Sequence, residues 1–422
     1  MADFSEEEVV AFAQVLKGFE DALVLSKLVD IYPTSDEQMA RSGDVIWRPM
    51  PYIMQSFDGE DQTTNFVDPT QISVPATLGY EKSVPFKLSA KELRDQLQQN
   101  RLGRSAYQKL ASDINVAVMN VLANQSTVFV KRASAASGFG DIAEADAAFN
   151  ELGVDMNDRC IALSSRDYND MASNLAARQT LQGKALNAYE RAYIGMNSGF
   201  ETFKLDYANR LTAAAGTTVT VTSANQRHVP QATSTAATGE KSNVDNRTMT
   251  LALTVGGGAV KAGDAFTIAG VNAVHHITKE DTGQLKTFRV IEAPAGGGTG
   301  NYTISPPIIS ADGASPTAAE QQYKNCTAAP AAAAVVTFLN TATAAINPFW
   351  CKGAIELLPG SLEVPENSGA AVMKGSTENG IEVTMMKQFG IDNRRVKYRF
   401  DAFFGVALLQ PEMAGLMMFA QP

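Results

Sequence analysis

The sequence predicts an α+β body interrupted by an all-β barrel domain. Three observations carry this. Apolar residues recur at helical spacing through the N-terminal third. At about Ala213 the pattern changes to short alternating Thr/Val strands separated by Gly-rich breaks, and after about Ala331 mixed α/β character resumes. From 213 to 330, eight Lys/Arg balance eight Asp/Glu, so the formal net charge of −10 lies on the flanking parts. A neutral β segment inside an acidic chain reads as a domain inserted into a surface loop of a host fold.

Composition bounds the rest. A chain of 422 residues suggests about two to three domains. Hydrophobic residues at 45% and charged residues at 19% exclude wholesale disorder. An acidic chain is a poor match to nucleic acid, whose binding rests on phosphate neutralisation. The three cysteines, Cys160, Cys326 and Cys351, are too widely spaced for a disulfide framework or a CxxC metal site. The N-terminus is acidic where a secretory signal needs basic residues. The uncharged stretch between Lys324 and Lys352 holds too many Asn and Pro residues for a lipid-facing helix, so no membrane association is expected.

Taken in order, Ser5-x-x-Glu8 is a capping box, and Val9, Phe12, Leu16, Phe19 and Leu23 form the apolar stripe of a helix ending before Pro33. Residues 44–88 differ. No basic residue lies between Arg48 and Lys82, and five prolines (Pro49, Pro51, Pro69, Pro75, Pro85) exclude a helix or a central strand. Phe57, Asp58, Glu60, Asp61, Phe66 and Asp68 make this an acidic excursion with apolar anchors, read as an arm reaching a neighbouring molecule, with a disordered surface loop as the alternative. Tyr107, Leu110, Ile114, Ala117, Val118, Val121 and Leu122 share one face, which predicts a helix over 104–131, about 42 Å long. Residues 140–212 read as mixed α/β, with a short buried strand after Asp155 and two helical segments between Arg166 and Leu186. The β segment follows, and Ala331 to Val336 reads as a short helix. Arg395-Val-Lys-Tyr-Arg-Phe400 alternates strictly, with Arg395, Lys397 and Arg399 on one face. That basic face can pair within its own fold, meet an acidic arm, or face nucleic acid.

The search for catalytic chemistry finds little. Gly296 to Gly300 lacks the Lys-Ser/Thr of a phosphate loop. Ser198 sits one residue late for a nucleophile elbow. His275 and His276 are adjacent, and in a strand adjacent side chains diverge. Asp141, Glu144 and Asp146 read as a solvated face. No catalytic residue, cofactor or metal is expected. A fibre or adhesin built on the β segment is a second reading, although no repeat is visible; a hydrolase using Ser198 is a third.

Five stretches, in order along the chain, resemble the major capsid proteins of short-tailed bacteriophages of enteric bacteria, the group infecting Salmonella and Shigella. They are Met39-Ala-Arg-Ser-Gly-Asp-Val-Ile-Trp-Arg-Pro49, Asn243-Val-Asp-Asn-Arg247, Phe266-Thr-Ile-Ala-Gly-Val271, Asn347-Pro-Phe-Trp350 and Gln410-Pro-Glu-Met-Ala414. The resemblance implies the Hong Kong 97-type capsid fold. The division would be an N-terminal arm (1–43), an extended β-hairpin loop (44–88), a peripheral domain with a spine helix (89–135), an axial domain (136–212 and 336–422, with C-terminal peripheral strands) and the inserted β-barrel (213–335). It implies self-assembly as hexamers and pentamers into an icosahedral shell around double-stranded DNA, without sequence-specific binding. It also implies a scaffolding protein during assembly, a portal at one vertex, and assembly in the host cytoplasm. The family's capsomer-bridging loop precedes the Asn243–Arg247 motif, which places Glu240, Lys241, Asn243, Asp245 and Arg247 at a self-interface. Lysine-mediated cross-linking from the extended loop finds no lysine between Arg48 and Lys82.

Overall fold

The computed structural model describes residues 12–13, 16–19, 25–33, 45–50, 54, 56, 59–61, 63, 66, 68–89, 96–177, 194–363, 369–377 and 380–422. The chain divides into two compact units, one of residues 1–47, 75–120 and 355–407, the other of 48–74, 121–354 and 408–422. The proposed N-terminal helix falls largely outside the described residues, as does the second helical segment before Leu186; the first is Ser165–Ala176.

The first unit is organised around the long strand Arg395–Leu408. It belongs to a six-stranded sheet with Asp30–Ile31, Ile355–Gly360, Glu382–Gly390, Ala371–Ser376 and Tyr80–Ser89. The alternation seen in the sequence is the burial pattern: Val396, Tyr398 and Phe400 are buried, Arg395, Lys397 and Arg399 exposed. Tyr80–Ser89 runs antiparallel to it over ten residue pairs, from Arg395–Ser89 to Phe404–Tyr80. Stacked rings fix that register: Tyr80 on Phe404 and Phe86 on Tyr398, both at 5.3 Å between centroids. The last part of the expected excursion is therefore a sheet strand, and Pro85 is tolerated because that strand is at an edge. Val45–Pro49 and Ser73–Thr77 form a two-stranded ribbon.

The long helix spans Gln96–Gln125, thirty residues or about 45 Å, rather than 104–131. It ends early because Val128-Phe-Val-Lys131 is better used as a strand: it pairs in parallel with Ala414–Met418. Between them, Thr127 donates its backbone N–H and its hydroxyl to the Pro411 carbonyl, the latter at 2.8 Å.

In the second unit the axial sheet runs in the order Val128–Lys131, Ala414–Met418, Asn347–Cys351, Arg159–Leu163, Phe200–Lys204, Met196–Asn197. The helix Phe139–Leu152 contributes to its core, where Phe149, Phe200 and Phe349 meet at 4.8–6.0 Å.

The barrel enters and leaves through a narrow neck, Arg210–Leu211 paired with Ala344–Ala345. Six strands follow in the order Thr217–Val221, Met249–Gly257, Gly300–Ser305, Asp281–Glu292, Ala265–Val274, Val336–Phe338. A Thr220–Val335 bridge, with Val221 N–H donating to the Ala334 carbonyl at 2.9 Å, closes the ring. Leu251, Leu253, Phe266, Phe288, Tyr302 and Ile304 fill the interior. The expected helix over 331–336 is a turn and the closing strand, because Val335-Val-Thr337 completes the ladder. The barrel accordingly extends past 335, to the buried Asn340. Asn340 donates to the Thr212 carbonyl at 3.0 Å and to Asp264 at 2.9 Å, and accepts from the Ala265 N–H. It ties both neck crossings to the barrel wall. Asn340→Ala removes three hydrogen bonds, two of them fully buried, and leaves Asp264 short of a donor. Urea unfolding should show a loss of about 2–4 kcal/mol; a loss below about 0.5 kcal/mol would contradict the tie.

Candidate assembly surfaces

Three surfaces were expected from the sequence. In the acidic excursion, Phe57 and Asp58 lie outside the described residues. Glu60, Asp61, Phe66 and Asp68 are all exposed, Phe66 at 87%. Asp61 accepts hydrogen bonds from the Thr63 hydroxyl and backbone N–H, which hold its carboxyl below the usual range. The described part of this segment therefore presents negative charge and one exposed aromatic ring.

In the barrel, Thr233–Thr235 and Lys241–Asn243 form a hairpin whose tip turns at Gly239, φ +86°. Glu240, Lys241 and Asn243 are exposed. Asp245 and Arg247 are not free in the same way. They pair at 2.7 Å, and Arg247 Nη1 also donates to the Leu408 carbonyl at 2.8 Å. Asn246 between them is buried, donates to the Gln231 and Val244 carbonyls, and accepts from Gln231 N–H. The second half of the Asn243–Arg247 motif is thus the hairpin's footing, and its exposed chemistry is at the tip. Residue spacing gave no sign of this division, because the carbonyl that Arg247 binds is 161 positions away.

On the basic strand, Arg399 is locally paired: Nε to Asp401 at 2.6 Å and Nη2 to Ser83 Oγ at 2.8 Å, with Glu81 at 3.4 Å. Lys397 lies directly opposite Lys87, a position sequence reasoning missed because the Lys87 strand was expected in the excursion. Like charges facing across a strand pair are unfavourable. Among the described residues neither lysine has an ion-pair partner. A cavity of about 400 Å³ lies here, lined by Pro85, Lys87, Met386, Gln388, Lys397 and Arg399 among others.

No competing chemical site emerges among the described residues. Among those residues, no group of three or more His, Cys, Asp and Glu is placed to hold a metal ion. Ser198 is in the turn between Met196–Asn197 and Phe200–Lys204, at φ +45°. His275 and His276 follow the strand Ala265–Val274 rather than lying in it. Burial pushes the Cys160 and Cys326 thiols up to about 12, so both stay protonated. Among the described residues, no helix is long and apolar enough to cross a membrane.

The family that matches this sequence is described as P22 coat protein, gene protein 5, and the match covers residues 1–420. Among solved structures, the chain is similar to one titled Mycobacterium phage Che8 (9% identity, 94% of this chain and 90% of that one, TM-score 0.45). It is also similar to the capsid of the cyanophage P-SCSP1u (11% identity, 95% and 89%, TM-score 0.44). The CUS-3 coat protein I-domain matches at 37% identity over 31% of this chain and 98% of that one, with a TM-score of 0.23. A long helix, a mixed axial sheet and an inserted barrel, together with that full-length match, define a major capsid protein of a tailed phage with the Hong Kong 97-type fold. Within that class, the chain belongs to the P22 coat protein family.

The footing and the tip of the barrel hairpin make opposite predictions. Arg247→Ala strands a half-buried carboxylate and the Leu408 carbonyl, and should lower subunit stability by about 1–3 kcal/mol. Replacing Glu240 and Lys241 with Ala should leave it within about 0.5 kcal/mol. Thermal unfolding of the two variants side by side checks this; equal losses would remove the distinction.

Proposed function

We propose that this chain forms the icosahedral shell around the double-stranded DNA of a short-tailed phage of enteric bacteria, assembling in the host cytoplasm with a scaffolding protein and a portal. The observation that supports it most is the family match over residues 1–420, together with a barrel inserted on a neck at 210–211 and 344–345. It acts through repeated contacts between copies and carries out no catalysis. A closed shell needs many weak, symmetric contacts, and exposed charge pairs of less than about 1 kcal/mol each supply them. The net charge of −10 keeps the shell from holding its genome by phosphate neutralisation.

In this reading the self-interfaces are the exposed acids and Phe66 of the excursion, the hairpin tip at Glu240, Lys241 and Asn243, and the basic strand face with Arg395, Lys397 and Arg399. Phe57 and Asp58 belong with the excursion by sequence, and Asp245 and Arg247 support the tip from below. The unpaired Lys87–Lys397 couple fits an acidic segment of a second copy.

Negative-stain electron microscopy of the chain, alone and with a candidate scaffolding protein, should show closed shells that become more uniform with the scaffold. Monodisperse small particles in both preparations would refute the assembly reading. A charge exchange tests the pairing. Lys87→Glu with Lys397→Glu should abolish assembly, as should Glu60→Lys with Asp61→Lys. Mixing the two variants should restore it. A mixture as inert as its components would show that these two surfaces do not meet between copies.

A further inference from the structure

The barrel meets the turn Pro411–Met413 at the Glu412 carboxylate. Lys286, on the barrel strand Asp281–Glu292, is 4% exposed and forms its ion pair with Glu412. Asn325 Nδ2 donates to the same carboxylate oxygen at 3.1 Å. His276 and Lys279 also act on this carboxylate electrostatically, and both come from the barrel turn after Ala265–Val274. That turn rests on the helix Phe139–Leu152: the His276 N–H donates to the Leu152 carbonyl at 2.9 Å, and a Cβ on Gly153 would fall 2.5 Å from the His275 ring. A cavity of about 50 Å³ lies at the junction, walled by Leu152, Val154, Val274, His276, Lys286 and Glu412 among others. The turn Pro411–Met413 leads directly into Ala414–Met418, a strand inside the axial sheet.

We propose that Glu412 is an acid-sensitive latch that holds the inserted barrel on the axial sheet, releasing it as a unit when the groups at this junction take up protons. The geometry is unbalanced. One carboxylate serves Lys286, Lys279 and His276, and among the described residues no second acid forms an ion pair with Lys286. Lys286 is too deeply buried to be left without its counter-ion. The docked state therefore depends on Glu412 being ionised and His276 being neutral.

The titration signs agree with that dependence. Burial pulls the His276 imidazole down to about 4; Glu412 opposes this, while Lys279, Lys286 and His275 reinforce it. A released His276 titrates near its ordinary 6.5, so between pH 6.5 and 4 the released state binds more protons and docking weakens as pH falls. Burial alone would raise the Glu412 carboxyl, but Lys286, then His276 and Lys279, hold it below its ordinary value. Its contribution is present above 4.5 and is lost as pH falls through the lower docked value. Lys279, brought down to about 8 by burial against the pull of Glu412 and with the help of Lys286 and Lys324, stays protonated throughout this window and adds no acid slope. The two His276 values bound the shift in the docking equilibrium at about thirtyfold at pH 5; water reaching the partly exposed ring reduces this to about tenfold.

Hydrogen exchange on the full-length subunit tests the latch, with rates corrected for the intrinsic pH dependence. Going from pH 7.5 to 5.0 should speed exchange about tenfold in residues 127–131, 275–287 and 410–413. The barrel-core strand Met249–Gly257 should not change. His276→Asn should flatten most of the response, and Glu412→Gln should expose the same segments already at pH 7.5. The proposal is overturned if Met249–Gly257 loosens in step with the junction, if no segment responds, or if His276→Asn keeps the full acid response.

Discussion

The structure turns on one buried cation, the guanidinium of Arg289. It comes from a barrel strand and ends beneath the C-terminus of the long helix, where Nη1 donates to the Ala123 and Ser126 carbonyls and Nη2 to Gly263 at 2.9 Å. The Ala123 carbonyl in the last turn and the Ser126 carbonyl just past it have no partners within the helix, and the helix dipole makes that end negative. A positive group placed there satisfies both. Burial pulls the guanidinium down to about 10, with Asp264 opposing, so it is still charged at neutral pH. Asp264 is itself held by Asn340 and the Lys261 N–H. One connected set of polar groups therefore joins helix end, barrel wall and neck. Such a set is costly to break at any single member, because the remaining charge would be left buried alone.

From that fixed point the remaining arrangement follows. The helix must stop at Gln125, so the next residues are available as the axial strand Val128–Lys131. Thr287 on the barrel then donates to the Thr127 carbonyl at 2.8 Å, and Ala123, Phe129, Leu211, Ala265, Ile346 and Leu416 close into a small apolar cluster around it. Among the described residues, the buried charges Asp141, Arg159, Lys286 and Arg289 each meet a partner within the chain. The exposed ones at the hairpin tip, in the excursion and on the basic strand are largely not. A shell protein needs this separation: strong contacts within a subunit keep its shape, and weak ones between subunits let misplaced copies leave.

Sequence reading found the elements whose pattern is local. The alternation of Arg395–Phe400, the Thr/Val strands of the barrel and the apolar face of the long helix are each set by neighbours two to four positions away. It misjudged what depends on distant partners. The helix end moved because Val128–Lys131 finds a strand at 414–418, and the barrel's end moved because Val335 bridges back to Thr220. Lys87 became visible as part of the basic face only once Tyr80–Ser89 was paired with Arg395–Leu408. Glu412 gave no signal and Arg289 little, because an ionisable residue in a strand or turn is ordinarily solvated. A charged residue interrupting the apolar run Phe288-Arg-Val-Ile291 was the one available hint.

The central claim is that the inserted barrel holds the end of the long helix through Arg289. Arg289→Met keeps the aliphatic volume and removes the donors. Residue-resolved hydrogen exchange on that variant is the most direct test. Amides 121–125 at the helix end should exchange at least about tenfold faster while those of the barrel strand Met249–Gly257 stay protected. Unchanged protection at the helix end would contradict the account.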